Sequence, residues 1–217
     1  MKNKSIIASA VVALISWVVA YWYEPFLPEM VPTHWNASGE IDGYTAKPWG
    51  VYMMPMVVTG MVMLLALLPK ISPKGFKLDE AKRIYDLIIL IMSLFITGVM
   101  VLSFESALNK DLEMNNWIMF GIGGLFIVLG NYISKVPKNF FLGIRTPWTL
   151  SSDKVWYATH RMGSWCFVLA GLAVVILTIF KAPVAWVIGS LMFGSLLPVF
   201  YSLYAYHKLE GFNKKES

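Results

Sequence analysis

Six apolar runs, each close to the length of a membrane crossing, dominate this sequence. They cover roughly residues 5–22, 49–69, 84–104, 115–134, 163–180 and 184–206. A helix needs about 20 mostly apolar residues to cross a bilayer, and in lipid it satisfies its backbone polar groups internally. The runs therefore predict an all-α polytopic membrane protein with six transmembrane helices. Composition excludes a soluble domain: 57% of residues are hydrophobic and 14% charged, against about 25% charged in soluble chains. The first run follows Lys2 and Lys4 as a signal peptide would. It continues to Trp22 without a small-residue cleavage pattern before Glu24, and so reads as an uncleaved span.

The net charge of +5 reports orientation rather than a nucleic-acid partner. With the N-terminus inside, only Lys47, Lys110 and Lys181 of the 18 lysines and arginines fall on outer segments. That asymmetry follows the positive-inside rule and places both termini in the cytoplasm. The basic tail, with Lys214 and Lys215, lies inside. The single cysteine, Cys166, excludes a disulfide framework and reads as a small buried apolar residue.

Two connecting stretches carry more than a connector needs. The outer loop 23–48 holds Pro25, Pro28, Pro32 and Pro48, which oppose helix. Turn signals at Asn36–Gly39 and Asp42-Gly43 bound a short extended piece over Val31–Trp35, so the loop is expected to be ordered. The inner loop 135–162 alternates cations (Lys135, Lys138, Arg145, Lys154, His160, Arg161) with rings (Phe140, Phe141, Trp148, Trp156, Tyr157). Gly143 permits an unusual backbone angle, and Thr146 before Pro147 is pushed to an extended conformation. Ser151 or Ser152 ahead of Asp153 signals a helix start. From there Val155, Trp156, Thr159 and Met162 form an apolar stripe, with Lys154, Tyr157, His160 and Arg161 largely off it.

Between these stretches the sequence sets further expectations. Five methionines of span two (Met53, Met54, Met56, Met61, Met63) read as adaptable packing, with a peptide-binding surface as the alternative. In the inner loop 70–83, Pro73 and Gly75 mark a turn, and a helix starting near Asp79 flows into span three. Asp86 is expected to pair with Lys82 or Arg83. Residues 105–114, with Glu105, Lys110, Asp111 and Glu113, read as a solvated connector. Gly121, Gly123, Gly124 and Gly130 suit close helix packing, which predicts a central place for span four, with Asn131 in a helix–helix hydrogen bond. Lys181-Ala182-Pro183 makes a tight hairpin of spans five and six, and Tyr201, Tyr204 and Tyr206 form an interfacial belt.

Catalytic chemistry finds little support. There is no phosphate-binding loop, nucleophile elbow or His-Glu-x-x-His motif, and the spans lack mid-membrane ionisable residues of the kind that coupled transporters use. His34, Glu40 and Asp42 are the one outer set resembling a carboxylate–imidazole site, at a spacing matching no metal motif. We expect no metal, no cofactor and no catalysis.

Against this background, residues 129–163 resemble the SdpI family of Sdp toxin immunity and signal-transduction membrane proteins. The resemblance is carried by Gly130-Asn131, Lys138-Asn139, the run Gly143 to Leu150, Val155-Trp156 and Thr159-His160-Arg161. The stretch Leu27-Pro28, Val31-Pro32, His34-Trp35-Asn36, Gly39-Glu40, Asp42-Gly43-Tyr44 and Lys47 is similar to an uncharacterised domain often fused ahead of it. The resemblance implies a bacterial inner-membrane protein giving resistance to a secreted killing peptide. It also implies a receptor that relays the toxin's presence to a small cytosolic winged-helix autorepressor, without direct nucleic-acid contact. On that reading the repressor would meet Asn131, Asn139, Arg145, Thr146, Pro147, Trp148, Trp156, His160 and Arg161. The toxin would meet the outer loop through His34, Trp35, Asn36, Glu40, Asp42 and Lys47, or lipid-facing grooves. The alternatives are a small exporter of a hydrophobic peptide or lipid, and a membrane enzyme using the outer His/Glu/Asp set. Three segments organise the chain: 1–69, 70–114 and 115–217.

Overall fold

A computed structural model describes residues 4–36, 40–71, 78–109 and 112–211, with the side chains of 78–80 left undescribed. The order is α1 (Lys4–Tyr23), β1 (Met30–Trp35), β2 (Ile41–Ala46), α2 (Trp49–Leu67), α3 (Leu78–Leu108), α4 (Met114–Ile133), α5 (Pro147–Ser151), α6 (Asp153–Ile179) and α7 (Val184–Leu209). All helices except the five-residue α5 are long and apolar enough to cross a membrane, six among the described residues. The fold is that of an all-α multi-pass membrane protein. The turns expected at 37–39 and 72–77, the Lys110-Asp111 connector and the basic tail lie outside the described residues.

The chain forms two compact units, one of Met1–Pro69 with Asp86–Gly121 and one of Lys70–Tyr85 with Ile122–Ser217. In the first, α1 buries small residues, Ser9, Ala13, Ser16 and Ala20, and turns Leu14, Val18, Tyr21 and Trp22 outward. Small faces allow close helix approach where lipid, not water, covers the remainder. Trp17 donates from its indole to Thr59 Oγ1 at 3.0 Å and stacks on Tyr52, joining α1 to α2. Pro55 is buried in α2, whereas Met53, Met56 and Met63 are exposed. These three methionines therefore face outward.

The expected extended piece is β1, and it pairs antiparallel with β2. The resulting hairpin is seated on helix ends through one core of Ala20, Tyr23, Leu27, Val31, Val51, Met100 and Phe104. Two polar ties fix it, and a third links the residue after α1 to α2. Ser103 Oγ on α3 donates to Pro32 O at 2.9 Å, Lys47 Nζ donates to Glu24 O at 2.8 Å, and Tyr52 donates to the Glu24 carboxylate at 2.7 Å. Gly50 allows the seating, since a Cβ there would stand 2.5 Å from Thr45 O and 2.9 Å from Val31 Cβ.

Helix α3 corrects the expected connector. It runs to Leu108, so Glu105 is helical and half-buried, accepting a hydrogen bond from the Tyr23 hydroxyl. Asp86 is buried in the same helix.

In the second unit α4 packs on α6 through glycine. A Cβ at Gly123 would meet Val175 at 2.8 Å and Gly171 O at 2.9 Å, and one at Gly130 would meet Val168 at 2.8 Å. Ser164 Oγ donates to Gly130 O at 2.6 Å across this contact. The glycines thus do what small residues do in lipid, yet α4 is the least buried of the six spans, contrary to the expected central place. Asn131 also differs. Its amide donates to Ile127 O of its own helix at 2.8 Å, because an exposed amide one turn along finds that carbonyl without needing a second helix. Helices α6 and α7 form the expected hairpin, turned at Lys181 in the left-handed region (φ 49°) and capped by Pro183.

Candidate functional site

The loop between α4 and α6 is a folded object organised by four buried side chains. Asn139 comes first: its amide nitrogen donates to Pro137 O (2.9 Å) and Leu142 O (3.0 Å), and its oxygen accepts from Phe141 N (2.8 Å) and Leu142 N (2.7 Å). That uses both donors and both lone pairs of an amide, so one side chain replaces the backbone pairing a loop lacks.

Gly143 follows at φ +120°, in a region L side chains rarely adopt. It lies against His160 and Trp156, and a Cβ there would collide with His160 Nε2 and sit 3.2 Å from the indole. Trp156 and His160 are both fully buried, with rings stacked at 4.0 Å and 21°. Trp156 Nε1 donates to Val136 O at 2.8 Å, pinning the loop's start. His160 Nδ1 lies 2.8 Å from Trp156 O, and Nε2 accepts from Ile144 N at 3.0 Å. One nitrogen donates and the other accepts, which is the neutral imidazole with its proton on Nδ1.

The Thr146-Pro147-Trp148-Thr149 run is a reciprocal helix cap. Thr146 is extended (φ −115°, ψ 163°), as expected before proline. Its Oγ1 accepts from Thr149 N at 3.2 Å, while Thr149 Oγ1 accepts from Thr146 N at 2.9 Å and donates to Ile144 O at 2.8 Å. This is the capping-box arrangement with threonine in the third position, and Pro147 occupies the first turn, where its missing N–H costs nothing. Thr146 Oγ1 also lies 3.0 Å from Ser202 Oγ on α7.

Ser152 breaks α5 from α6. It is extended, accepts from Val155 N at 3.3 Å as the cap of α6, and donates to the Glu210 carboxylate beyond α7 at 2.6 Å. Around it lies a polar cleft of about 420 Å³ that includes Lys138 and Asp153, which form an ion pair. Replacing Ser152 with alanine is expected to lower stability by about 1 kcal/mol, the usual loss of an N-cap. The measurement is the melting temperature of the purified protein in detergent, which should fall by about 2–4 °C.

Of the residues proposed from sequence to meet a partner, the structure splits the set. Asn139, Thr146, Trp156 and His160 are buried and hold the loop's own form, so they are corrected from contact residues to scaffold. His160 was expected off the apolar stripe, but it lies one turn after Trp156 and shares its face. Asn131, Arg145, Pro147 and Arg161 are exposed and Trp148 half-buried. Arg145 spends a donor on Phe140 O.

On the hairpin, His34 Nδ1 and Asp42 Oδ1 are 2.5 Å apart across the strands, both well exposed. Asn36 closes the turn separately, donating to the Glu40 carboxylate at 2.9 Å and accepting from Glu40 N at 3.0 Å. Glu40 thus pairs with Asn36 rather than with the His34–Asp42 pair, and no group of metal-ligating side chains assembles among the described residues. Trp35 is half-buried, and Lys47 is held at Glu24.

One feature escaped the sequence reading. Trp22, Tyr23, Phe26, Glu105 and Leu108 line a cleft of about 570 Å³ in the first unit. Trp22 meets Tyr23 edge-on at 4.9 Å and Phe26 at 5.7 Å. The cleft's acid comes from a segment read as loop.

The fold and its two built connections define a class: multi-pass helical membrane proteins carrying an ordered hairpin after the first span and a folded loop ahead of the fifth. Within that class the chain matches the SdpI/YfhL protein family over residues 135–202 and the domain of unknown function (DUF1648) over residues 11–59. It is similar to Immunity protein SdpI of Bacillus subtilis (strain 168), 23% identical over 210 residues, which cover 96% of this chain and 99% of that protein. The expected resemblance is borne out. No solved structure matches the chain.

Proposed function

We propose that this chain is a bacterial inner-membrane immunity protein. It gives resistance to a secreted killing peptide and relays the peptide's presence to a cytosolic autorepressor. The observation that carries the reading is the reach of the likeness to Immunity protein SdpI, which spans nearly all of both chains and so includes both built connections. The charge asymmetry of the connecting segments supports cytoplasmic termini, an outer hairpin and an inner 135–162 loop. The action is stoichiometric rather than catalytic.

On this reading the repressor docks on what the inner loop leaves outside, Arg145, Pro147, Trp148 and Arg161, and on Asn131, which is also exposed. Exposed arginine next to half-buried tryptophan is the composition from which interface anchors are drawn. The buried quartet sets the loop's form.

The test is survival of a sensitive bacterium expressing the protein under challenge by purified Sdp-type peptide. Arg145→Ala and His34→Ala would be run beside wild type at equal membrane expression. Wild type is expected to protect, Arg145→Ala to protect while losing membrane recruitment of a fluorescent repressor, and His34→Ala to weaken protection. Absence of protection by well-expressed wild type rejects the immunity reading.

A further inference from the structure

We propose that the cleft walled by Trp22, Tyr23, Phe26 and Leu108, with Glu105 among its lining residues, receives a lysine or arginine side chain of a secreted amphipathic peptide. The proposal rests on the immunity reading and supplies it with a ligand site.

The cleft, about 570 Å³, lies in the size range of small-ligand pockets, roughly 300–1,000 Å³. That is ample for one long side chain and its apolar neighbours. Its wall is three aromatic rings, with Trp22 touching both Tyr23 and Phe26, and ring faces attract a cation held within about 6 Å of them. Trp22 and Phe26 are largely exposed, so their surfaces are available to an incoming ligand. Tyr23 is buried against Phe104 at 5.3 Å between centroids, and its hydroxyl holds Glu105 in place.

Glu105 sets the ligand's sign. Interfacial rings alone serve as a membrane anchor, and an anchor has no use for an acid. Glu105 is half-buried, its side-chain partner is a neutral phenol, and among the described residues it makes no ion pair. A carboxylate in an apolar wall has lost part of its water and attracts a cation more strongly than one in bulk solvent. The complementary ligand is a cationic group on an apolar stem, as a lysine or arginine of an amphipathic peptide presents.

The test uses the full chain in dodecylmaltoside, a neutral detergent without an ammonium group. The probe is fluorescein-labelled Leu-Lys-Leu-Leu amide, read by anisotropy against its norleucine-for-lysine analogue. Wild type should bind the lysine probe about tenfold more tightly than Glu105→Gln, the size of one charge-assisted contact. The norleucine analogue should bind both weakly and equally. Trp22→Ala, which removes a mostly exposed ring, should weaken the lysine probe by roughly fivefold. Equal binding of the lysine probe by wild type and by a Glu105→Gln variant with an unchanged melting temperature overturns the proposal. So does displacement of the probe by phosphatidylethanolamine from wild type but not from Glu105→Gln, which would make the cleft a lipid site. Binding is read without cell survival. Failed protection with intact probe binding therefore sinks the immunity reading alone, and intact protection with Glu105-independent binding sinks the cleft alone.

Discussion

Replacing Trp156 with alanine is expected to cost about 3–5 kcal/mol, the range for emptying a buried tryptophan site, and to lower the melting temperature by about 10 °C. Three roles end together. The ring fills a fully buried volume, stacks on His160 at 4.0 Å, and its N–H satisfies Val136 O. Trp156→Phe separates them, since it keeps much of the apolar volume and strands the Val136 carbonyl. It should cost about 1–3 kcal/mol, the penalty for an unpaired buried polar group. Thermal unfolding in detergent measures both, and limited proteolysis should show the loop before α5 opening first. A change under 1 kcal/mol for Trp156→Ala would contradict the assignment of this indole as the loop's anchor.

Gly143→Ala is expected to cost about 2–5 kcal/mol. Roughly 1–3 comes from holding alanine in a sparsely populated backbone region, and the remainder from forcing the His160 and Trp156 rings aside. The φ of +120° and the position of His160 Nε2 are separate observations, so a double mutant separates their effects. Combined with His160→Ala, the glycine substitution should lose the larger, His160 share of its steric part and keep its backbone part. The two changes would then sum to more than the double, as contacting residues do in such cycles. Strict additivity would show that the ring and the glycine do not meet.

What could be read from sequence was whatever local chemistry settles. Apolar run length located six spans, because lipid imposes that length on any helix. Gly143's backbone, Thr146's extension before Pro147 and a serine cap ahead of Asp153, at Ser151 or Ser152, followed from rules acting within a few residues. What needed distant partners was not legible. His160 was sorted by its polarity rather than by its place one turn from Trp156, and only the Ile144 N–H and Trp156 carbonyl explain why an imidazole is buried there. Strand β2 was missed because Tyr44 and Thr45 gain their meaning from Pro32 and Val31 opposite. Glu105 was assigned to solvent because an acid near a span end usually is, and its phenol partner stands 82 positions away. The Thr146–Thr149 cap was the one readable signal passed over, since threonine can stand in the third capping position where glutamate is usual.

Helix α1 presents serine and alanine to its neighbours and its bulk to the surroundings. Mutational tolerance along it should therefore run opposite to that of a water-soluble helix. Leu14, Val18 and Tyr21 can drift among apolar side chains of any shape, because fluid acyl chains conform to whatever they meet. One added ethyl group at Ala20 would instead separate helices. Relatives can then accumulate many differences on their largest residues while keeping one backbone, and the slowly changing positions on this helix should be its smallest.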